Sequence, residues 1–188
     1  ATRSLQREMI RSDPHWADGY YDPEEGPVEG MRLARKLGLM SYRSPQEWLE
    51  RFGRQKVPAA DDRTHRDLFD AEFQVESYLE ANARKFIGHF DPNSYLYLSR
   101  AMDIFDLAEH GDGDRAAALA ALRIRRALVV GVESDGLFPL WQQRELAEGL
   151  EAAGQVATFA PLASIQGHDA FLVDEGRFAP VMREFLAT

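Results

Sequence analysis

Two polar residues follow apolar segments at positions where acid–base chemistry is possible. Asp135 comes shortly after the apolar run at 127–132, and His168 follows a second run at 155–160 after a short loop. Loops at the carboxyl ends of neighbouring parallel strands meet at one edge of a sheet, where active sites form. A carboxylate there can hold an imidazole in one tautomer and support its positive charge. The spacing therefore indicates an Asp135–His168 pair.

Ordinary structural roles are also open to these residues. Asp135 precedes a glycine, and Asp-Gly is a common turn pair. His168 stands near a helix start, where histidines are often structural, and Asp169 could cap a turn. Asp followed by His is nevertheless the second half of the Ser…Asp…His order of the α/β hydrolases. The two residues together therefore support a catalytic interpretation better than either does alone.

The chain does not contain the serine that such a pair would need. A nucleophilic serine of this type stands in G-x-S-x-G on a sharp turn after a strand, and no serine of the chain has that context. We therefore expect the nucleophile upstream of Ala1. Cysteine is absent from the sequence, which excludes a cysteine nucleophile, a disulfide scaffold, a thiolate zinc site and an iron–sulfur cluster.

The remaining histidines give little support for a metal centre. They are His15, His65, His89 and His110. No two of them have the i, i+4 spacing of a helical metal site. We therefore predict that the chain binds no metal.

Composition places the chain among globular proteins. It has 188 residues, 45% of them apolar and 28% charged, which suits one domain with a substantial core. The net charge of −9 disfavours a nucleic-acid surface, and the one dense basic run, Arg123 to Arg126, is short. No apolar stretch approaches the ~20 residues that span a bilayer, and no secretory leader is recognisable. We expect a cytoplasmic protein, or part of one, that binds neither nucleic acid nor membrane.

The pattern of elements changes along the chain. Residues 1 to about 30 predict a short helix and a turn-rich stretch, and residues 31 to about 122 predict helices. Beyond Arg126 the order is strand, helix, strand, helix, which is typical of a βαβ unit with a parallel sheet. The predicted elements of this last region are strands at 127–132 and 155–160 and helices at 139–153 and 175–186.

Two helix starts are well marked in the helical region. Ser44 and Pro45 supply an N-cap and a first helical residue, with Glu47 three residues after the cap. Asp91 and Pro92 supply a second start. The helix after Asp91 has apolar residues at steps of three and four, which predicts one apolar face made of Tyr95, Leu98, Met102 and Phe105. Further predictions are helices at 32–42 and 75–86, a short Ala-rich helix before the first strand, and a polar loop at 53–67.

Four longer segments carry a specific pattern. They are GPVEGMRLARKLGLMSYRSPQEWLERFGR, FDPNSYLYLSRAMDIFD, VGVESDGLFPLWQQRELAEGL and GHDAFLVDEGRF. Together they resemble the C-terminal half of the homoserine O-acetyltransferase family, the homoserine and serine O-acyltransferases of the α/β-hydrolase fold. The resemblance implies an α/β-hydrolase fold with a mostly parallel sheet and an inserted helical lid. Residues 1–30 and 121–188 would belong to the hydrolase core, and residues 31–120 would form the lid.

The resemblance also implies roles for individual residues. Asp135 matches the acid and His168 the base of a Ser-His-Asp triad whose serine lies in the N-terminal half. Arg43 matches the arginine that binds the substrate's carboxylate, and Asp169 matches the residue that receives its amino group. Both suit an amino-acid acceptor, because a guanidinium grips a carboxylate and a carboxylate pairs with an ammonium. The resemblance further implies acyl-CoA as co-substrate, no bound cofactor, association with the N-terminal half of the same enzyme, and a homodimer.

The activity that the resemblance implies is acyl transfer in two steps through an acyl-enzyme. The leading expectation is transfer from acetyl-CoA to the hydroxyl of L-homoserine, in methionine biosynthesis. One alternative is acylation of L-serine by an acetyl or succinyl donor, in cysteine biosynthesis, and a second is a hydrolase of the same fold. A third is a non-catalytic fragment that needs the half carrying the serine. We expect residues 1–188 alone to fold poorly, because strands without their neighbours leave an open sheet edge.

Overall fold

A computed structural model describes residues 1–58 and 70–187 of the chain. The chain divides into two compact units, of which the first comprises Ala1–Met40 with Trp48–Asp103 and the second Ser41–Glu47 with Ile104–Thr188. The expected grouping into a hydrolase core and a lid stays a prediction. Residues 59–67 of the predicted polar loop, which include the candidate histidine His65, lie outside the described residues.

The first unit is helical, as the sequence predicts. Its helices are α1 (Thr2–Ser12), α2 (Val28–Tyr42), α3 (Pro45–Arg51), α4 (Gln74–Phe86) and α5 (Pro92–Ile104), with a short 3₁₀ helix at Pro14–Gly19. The segment 41–47, which joins α2 to α3, belongs to the second unit. Both predicted helix starts are confirmed. The Ser44 hydroxyl accepts a hydrogen bond from the Glu47 N–H at 3.0 Å, and the Asp91 carboxylate accepts one from the Ser94 N–H at 2.6 Å.

The core of the first unit lies where α1 and α2 meet. Ile10, Met31 and Ala34 are buried together there. Gly30 allows the two helices to touch, because a Cβ at this position would lie 2.5 Å from the Met9 carbonyl oxygen. The Asp13 carboxylate accepts a hydrogen bond from the Gly30 N–H at 2.8 Å and so holds the start of α2 against the end of α1.

The packed face of α5 shares only Tyr95 with the apolar face that the sequence predicts, and Phe105 lies beyond the end of the helix. Leu98 and Met102 are exposed, whereas Tyr95 and Leu96 pack against the Ile10 core. Ser99 is buried on the packed side, where its hydroxyl accepts a hydrogen bond from Arg7 Nη1 at 2.8 Å. Because this hydrogen bond satisfies a polar residue in the interior, hydrophobicity alone does not identify the buried face.

The second unit contains the βαβ unit. Its elements are a 3₁₀ helix (Leu107–Gly111), α6 (Arg115–Ala120), β1 (Ala127–Val132), α7 (Leu140–Ala152), β2 (Ala157–Leu162), a 3₁₀ turn (Gly167–Asp169), α8 (Ala170–Val173) and α9 (Glu175–Ala187). β1 and β2 pair in parallel, in a register that runs from Ala127 opposite Ala157 to Val132 opposite Leu162. The predicted parallel pairing and the bounds of the first strand are confirmed.

The second strand begins two residues later than predicted. Gln155, which the sequence places in this strand, instead points its amide at the end of α6. Its Nε2 donates to the carbonyl oxygens of Leu119, Ala120 and Leu122 at 3.2 to 3.3 Å. Carbonyl groups at a helix end need such partners. The backbone N–H of Gln155 donates to the Leu150 carbonyl oxygen at 2.9 Å, so it closes the end of α7 and takes no part in the strand pairing.

Helix α7 packs directly on the sheet. Ala147 and Leu150 of α7 join Leu119 and Val129 in the buried core of this unit. Gly131 makes the close approach possible, because a Cβ there would lie 2.6 Å from Leu140 Cδ1. The same geometry fixes the positions of the two loops that leave β1 and β2. In the described part of the chain, none of the helices has the length and apolar character needed to cross a membrane.

Candidate active site

Asp135 lies in the tight turn that follows β1. Its N–H donates to the Val132 carbonyl oxygen at 3.1 Å. Its Oδ1 accepts hydrogen bonds from the N–H groups of Leu137 and Phe138 at 2.8 and 2.9 Å. The turn role that the sequence suggests is therefore real, but it occupies only one carboxylate oxygen. The other oxygen, Oδ2, is directed to a different partner.

That partner is His168. The distance between His168 Nδ1 and Asp135 Oδ2 is 3.0 Å, and the two side chains are 23% and 10% exposed. A carboxylate oxygen suits the Nδ1–H tautomer of the imidazole, and in the neutral form of that tautomer Nε2 is an acceptor. The structure thus brings together the two residues that the sequence pairs. Their catalytic role stays a prediction.

Aromatic side chains surround the imidazole. The ring of Phe138 meets that of His168 edge to face at a centroid distance of 5.0 Å. Phe171 stands at 6.0 Å and Tyr42 at 6.1 Å. These rings limit the rotation of the imidazole and leave the contact with Asp135 as its polar anchor.

Gly167 brings the histidine loop against the segment between α2 and α3. It has a φ of +68°, and a Cβ there would lie 2.7 Å from the Ser44 nitrogen and 2.8 Å from the Tyr42 carbonyl oxygen. Its N–H donates to the Ser134 hydroxyl at 3.0 Å. Only glycine adopts this left-handed backbone conformation without strain and also lacks the Cβ that the neighbouring backbone atoms would exclude. The close approach puts Arg43 beside the residues around His168.

The serines near the site support its loops. The Ser134 hydroxyl donates to the Ser164 carbonyl oxygen at 2.6 Å, and the Ser164 hydroxyl donates to Asp174 Oδ2 at 2.7 Å. The Ser44 hydroxyl donates to the Ile165 carbonyl oxygen while it caps α3. These contacts give each hydroxyl a structural role, in keeping with the lack of a nucleophile motif around any of them.

Arg43 and Asp169 lie in contact at this site. Arg43 Nε is 3.3 Å from Asp169 Oδ2. Arg43 Nη1 donates to Gln166 Oε1 at 3.1 Å and lies 3.7 Å from Glu47 Oε1. The Arg43 and Asp169 side chains are only 15% and 21% exposed. A cation and an anion held side by side, both partly open to solvent, are complementary to the carboxylate and the ammonium of an amino acid.

Sequence reasoning missed two members of this cluster. Gln166 carries no recognisable pattern, because it stands in a loop and its partner is distant in the sequence. For Glu47 the sequence indicates only a helix start. Its contact with Arg43 joins the segment before α3 to the first turn of that helix, and no helical periodicity indicates it, because Arg43 lies outside α3.

No group of three or more metal-binding side chains occurs in the described residues. The other candidate histidines that the structure describes lie elsewhere. His15 hydrogen-bonds with Asp13 in the first unit, and the ring of His110 packs beside that of Phe105.

Comparison with known proteins gives close relatives in sequence. No family model matches the chain. It is 59% identical over 187 residues to a serine O-succinyltransferase of Litchfieldella anticariensis, covering 100% of this chain and 50% of the relative. It is 57% identical over 186 residues to a serine O-succinyltransferase of Stenotrophomonas maltophilia, covering 99% of this chain and 50% of the relative. The chain thus spans about half the length of the curated relatives that it matches.

Comparison with solved structures shows the fold. The homoserine O-acetyltransferase from Bacillus anthracis superposes with a TM-score of 0.82 at 24% identity, over 100% of this chain and 48% of that one. Esterase E22 superposes with a TM-score of 0.79 at 22% identity, over 98% of this chain and 49% of that one. Both have the α/β-hydrolase fold, so the predicted fold class is confirmed.

Proposed function

We propose that the complete protein transfers an acyl group from acyl-CoA to the hydroxyl of a small amino acid. The chain belongs to the family of α/β-hydrolase-fold homoserine and serine O-acyltransferases, and it spans about half the length of these proteins. One observation carries the proposal. The Asp135–His168 pair, 3.0 Å apart, lies in the same unit as the Arg43–Asp169 contact of 3.3 Å. His168 and Asp169 are consecutive, so a base and an amino-acid clamp come together.

In the proposed reaction, His168 acts as the general base in both steps. Its Nε2 takes the proton from a serine in the other half of the enzyme, and the serine oxygen attacks the thioester carbonyl. The thiolate of CoA leaves and takes up the proton, and an acyl-serine ester remains. Nε2 then takes the proton from the hydroxyl of the acceptor amino acid, whose oxygen attacks the ester carbonyl. The bond to the serine oxygen breaks, and that oxygen takes the proton from Nε2, which regenerates the serine hydroxyl and the neutral imidazole. Asp135 keeps the imidazole in the required tautomer and stabilises its positive charge.

Arg43 and Asp169 supply the acceptor specificity in this proposal. Arg43 binds the carboxylate of the amino acid, and Asp169 binds its ammonium group. In the structure the two side chains form an ion pair with each other. A zwitterion replaces this contact with two new ion pairs and leaves the net charge of the site unchanged, whereas a simple ester or water cannot.

The two serine O-succinyltransferases described above favour L-serine as acceptor and a succinyl donor. They are 57% to 59% identical to this chain and carry the name serine O-succinyltransferase. Acetylation of L-homoserine is the leading expectation from the sequence resemblance. The solved homoserine O-acetyltransferase is only 24% identical to this chain, and identity at this level supports a shared fold but not a shared substrate. We therefore propose serine O-succinylation as the preferred pairing of substrates.

The test uses the full-length protein and all four pairings of succinyl-CoA or acetyl-CoA with L-serine or L-homoserine. Release of the CoA thiol reports donor consumption, and mass spectrometry of the amino acid reports the O-acyl product. We expect equal rates for both, with the highest kcat/KM for succinyl-CoA and L-serine. Thiol release without an acylated amino acid would support a hydrolase instead. Turnover of no pairing would overturn the proposed function.

A histidine variant tests the base directly. We expect His168→Ala to lower kcat by at least about 10³-fold in the preferred pairing, because both proton transfers lose their acceptor. His89→Ala is the matched control, since His89 is exposed and lies in the first unit. Equal activity of the two variants would remove His168 from the mechanism.

A further inference from the structure

A second candidate binding site lies in the first unit, formed by α1, the 3₁₀ helix that follows it, and α5. It is a cavity of about 470 Å³, a size typical of small-molecule sites. Three arginines and three aromatic side chains make up most of its wall: Arg7, Arg11, Arg100, Trp16, Tyr20 and Tyr97. None of these residues belongs to the site described above.

The arginines give the cavity a positive charge in a chain whose net charge is −9. Arg7 is held in place, since it donates to the Ser99 hydroxyl and pairs with Asp103 at 2.6 Å. Arg11 and Arg100 are exposed and make no hydrogen bond or ion pair with any residue that the structure describes. Two guanidinium groups without acidic partners, beside a third that is fixed, are suited to an anion with several oxygens.

The aromatic side chains suit a flat ring. Trp16 is fixed because its Nε1 donates to Asn93 Oδ1 at 3.0 Å, and the Arg11 guanidinium lies 5.1 Å from the centre of its ring. Tyr20 is 90% exposed and Tyr97 is 79% exposed. Exposed aromatic faces beside arginines form the combination on which nucleic-acid bases stack while their phosphates are bound.

The backbone at the cavity is held in an unusual conformation. Ala17 and Asp18 have φ values of +46° and +53°, a left-handed region that non-glycine residues rarely adopt. The Asn93 amide fixes this turn by donating to the Gly19 carbonyl oxygen at 2.9 Å. Strain of this kind persists where the surroundings enforce it, and it concentrates at ligand sites. The turn places Asp18, the one acidic residue among the described lining residues, at the same wall.

We propose that this cavity binds a phosphorylated nucleotide, with Arg11 and Arg100 on the phosphates and the exposed tyrosines against the base. The proposal rests on the proposed function in one respect, because an acyl-CoA donor carries such a nucleotide at the end remote from its thioester. A free nucleotide has the same chemistry. The experiment therefore separates these two sources.

Binding is measured by calorimetry on the full-length protein with adenosine 3′,5′-bisphosphate as the probe. We expect Arg11→Ala and Arg100→Ala each to weaken binding about tenfold, since each removes one charge-assisted contact with a phosphate. Arg123→Ala is the matched control, because Arg123 is exposed in the second unit. Tyr97→Ala tests the stacking contact, for which we also expect a loss of about tenfold.

The outcomes distinguish the parts of the proposal. An absence of nucleotide binding, or binding that both arginine variants leave unchanged, would overturn it. Inorganic phosphate that binds as tightly as the nucleotide would also overturn it, because the aromatic contacts would then contribute nothing.

Steady-state kinetics tests whether the nucleotide is that of the acyl-CoA donor. We expect the arginine variants to raise KM for acyl-CoA more than KM for acyl-pantetheine, which lacks the nucleotide. Weakened nucleotide binding with an unchanged KM for acyl-CoA would contradict the donor assignment. If the wild type binds the nucleotide but transfers no acyl group, the proposed function fails while the cavity assignment stands.

Discussion

At the scale of single residues, the neighbours of Arg43 determine how its guanidinium group is oriented in the candidate site. Its Nε faces Asp169 and its Nη1 faces Gln166, while Glu47 lies beyond Nη1. Nη2 makes no hydrogen bond or ion pair with the residues that the structure describes. The three neighbours thus fix the plane of the guanidinium and leave one edge for a carboxylate. On this basis Gln166 is a positioning residue for the proposed acceptor.

Loss of the Gln166 contact should weaken acceptor binding more than donor binding. We expect Gln166→Ala to raise KM for the amino acid about tenfold while KM for acyl-CoA and kcat change little, because the charge of Arg43 is kept but its orientation is not. Arg43→Ala should abolish amino-acid acylation and spare slow hydrolysis of the thioester. Steady-state kinetics with both substrates varied provides the measurement, and exposed Gln142 supplies the control variant Gln142→Ala. Equal rises in both KM values would contradict a positioning role.

The sequence predicts part of this residue-level arrangement for clear physical reasons. Asp135 and His168 each follow a strand of one parallel pair, and the periodicity of the chain reveals both strands. The proximity of Arg43 to Asp169 has no such basis, because Arg43 stands between two helices far away in the sequence. Only the family resemblance suggested a shared role. Gln166 was missed entirely, since a neutral loop residue gains its function from its partner.

At the scale of elements, the junction of α2 and α3 is held against the histidine loop through Gly167. We expect Gly167→Ala to destabilise the protein by about 1–3 kcal/mol, because the left-handed backbone and the contacts of 2.7 to 2.8 Å both oppose a Cβ. Activity should fall as well, since the adjacent His168 must move. Thermal unfolding and kcat check the prediction. Gly176→Ala is the control, as a Cβ there meets nothing within 4 Å, and an equal loss of stability in both variants would contradict the argument.

A second element-level contact joins α2 to α4 through charge. Lys36, together with Arg84 and Arg32, holds the pKa of Glu80 at about 2, well below its ordinary value of 4.5. The folded state therefore binds this proton less readily than the unfolded state does. The stability that Glu80 contributes is fully present above about pH 5 and is lost as the pH falls through 4.5 towards 2.

This linkage predicts a pH-dependent effect of one substitution. We expect Glu80→Gln to cost on the order of 1–2 kcal/mol at pH 7, because the side chain is 27% exposed and solvent screens part of the interaction. The cost should shrink at pH 3.5. Urea unfolding at pH 7, 5 and 3.5 measures it, with exposed Glu25→Gln as control. A difference between wild type and variant that stays constant with pH would show that the loss is one of packing alone.

The elements themselves follow from the sequence more closely than their faces do. Caps such as Ser44 and the valine-rich run of β1 act locally, so the sequence gives their positions well. The packed face of α5 depends on a hydrogen bond between Ser99 and Arg7 that joins distant residues. The start of β2 likewise depends on Gln155, whose backbone N–H bonds to Leu150 in α7 while its side-chain amide reaches the end of α6. Local sequence patterns do not contain such contacts between distant residues. These contacts explain why the packed face of α5 and the start of β2 differ from the predictions.

At the scale of the whole molecule, large apolar side chains of the second unit remain exposed, and one of them, Phe171, stands beside His168. Trp141 is 63% exposed, and Phe171 and Leu172 are 55% and 67% exposed. The sheet among the described residues has two strands, an arrangement that is marginally stable without further strands or covering helices. The chain spans about half the length of its relatives, and we propose that the remainder of the protein covers these surfaces.

This incomplete cover leads to a prediction about the isolated chain. We expect residues 1–188, produced alone, to aggregate or to bind the dye ANS strongly, because exposed apolar surface and open strand edges favour association. The full-length protein under the same conditions should be monodisperse and bind little dye. Light scattering after size-exclusion chromatography and ANS fluorescence provide the measurements. Co-expression with the remainder of the protein on a separate chain should restore both solubility and acyl transfer, since in the proposed mechanism that half supplies the serine for the Asp135–His168 pair. A monodisperse 188-residue monomer with a cooperative melting transition would contradict the prediction and show that the two units need no further cover.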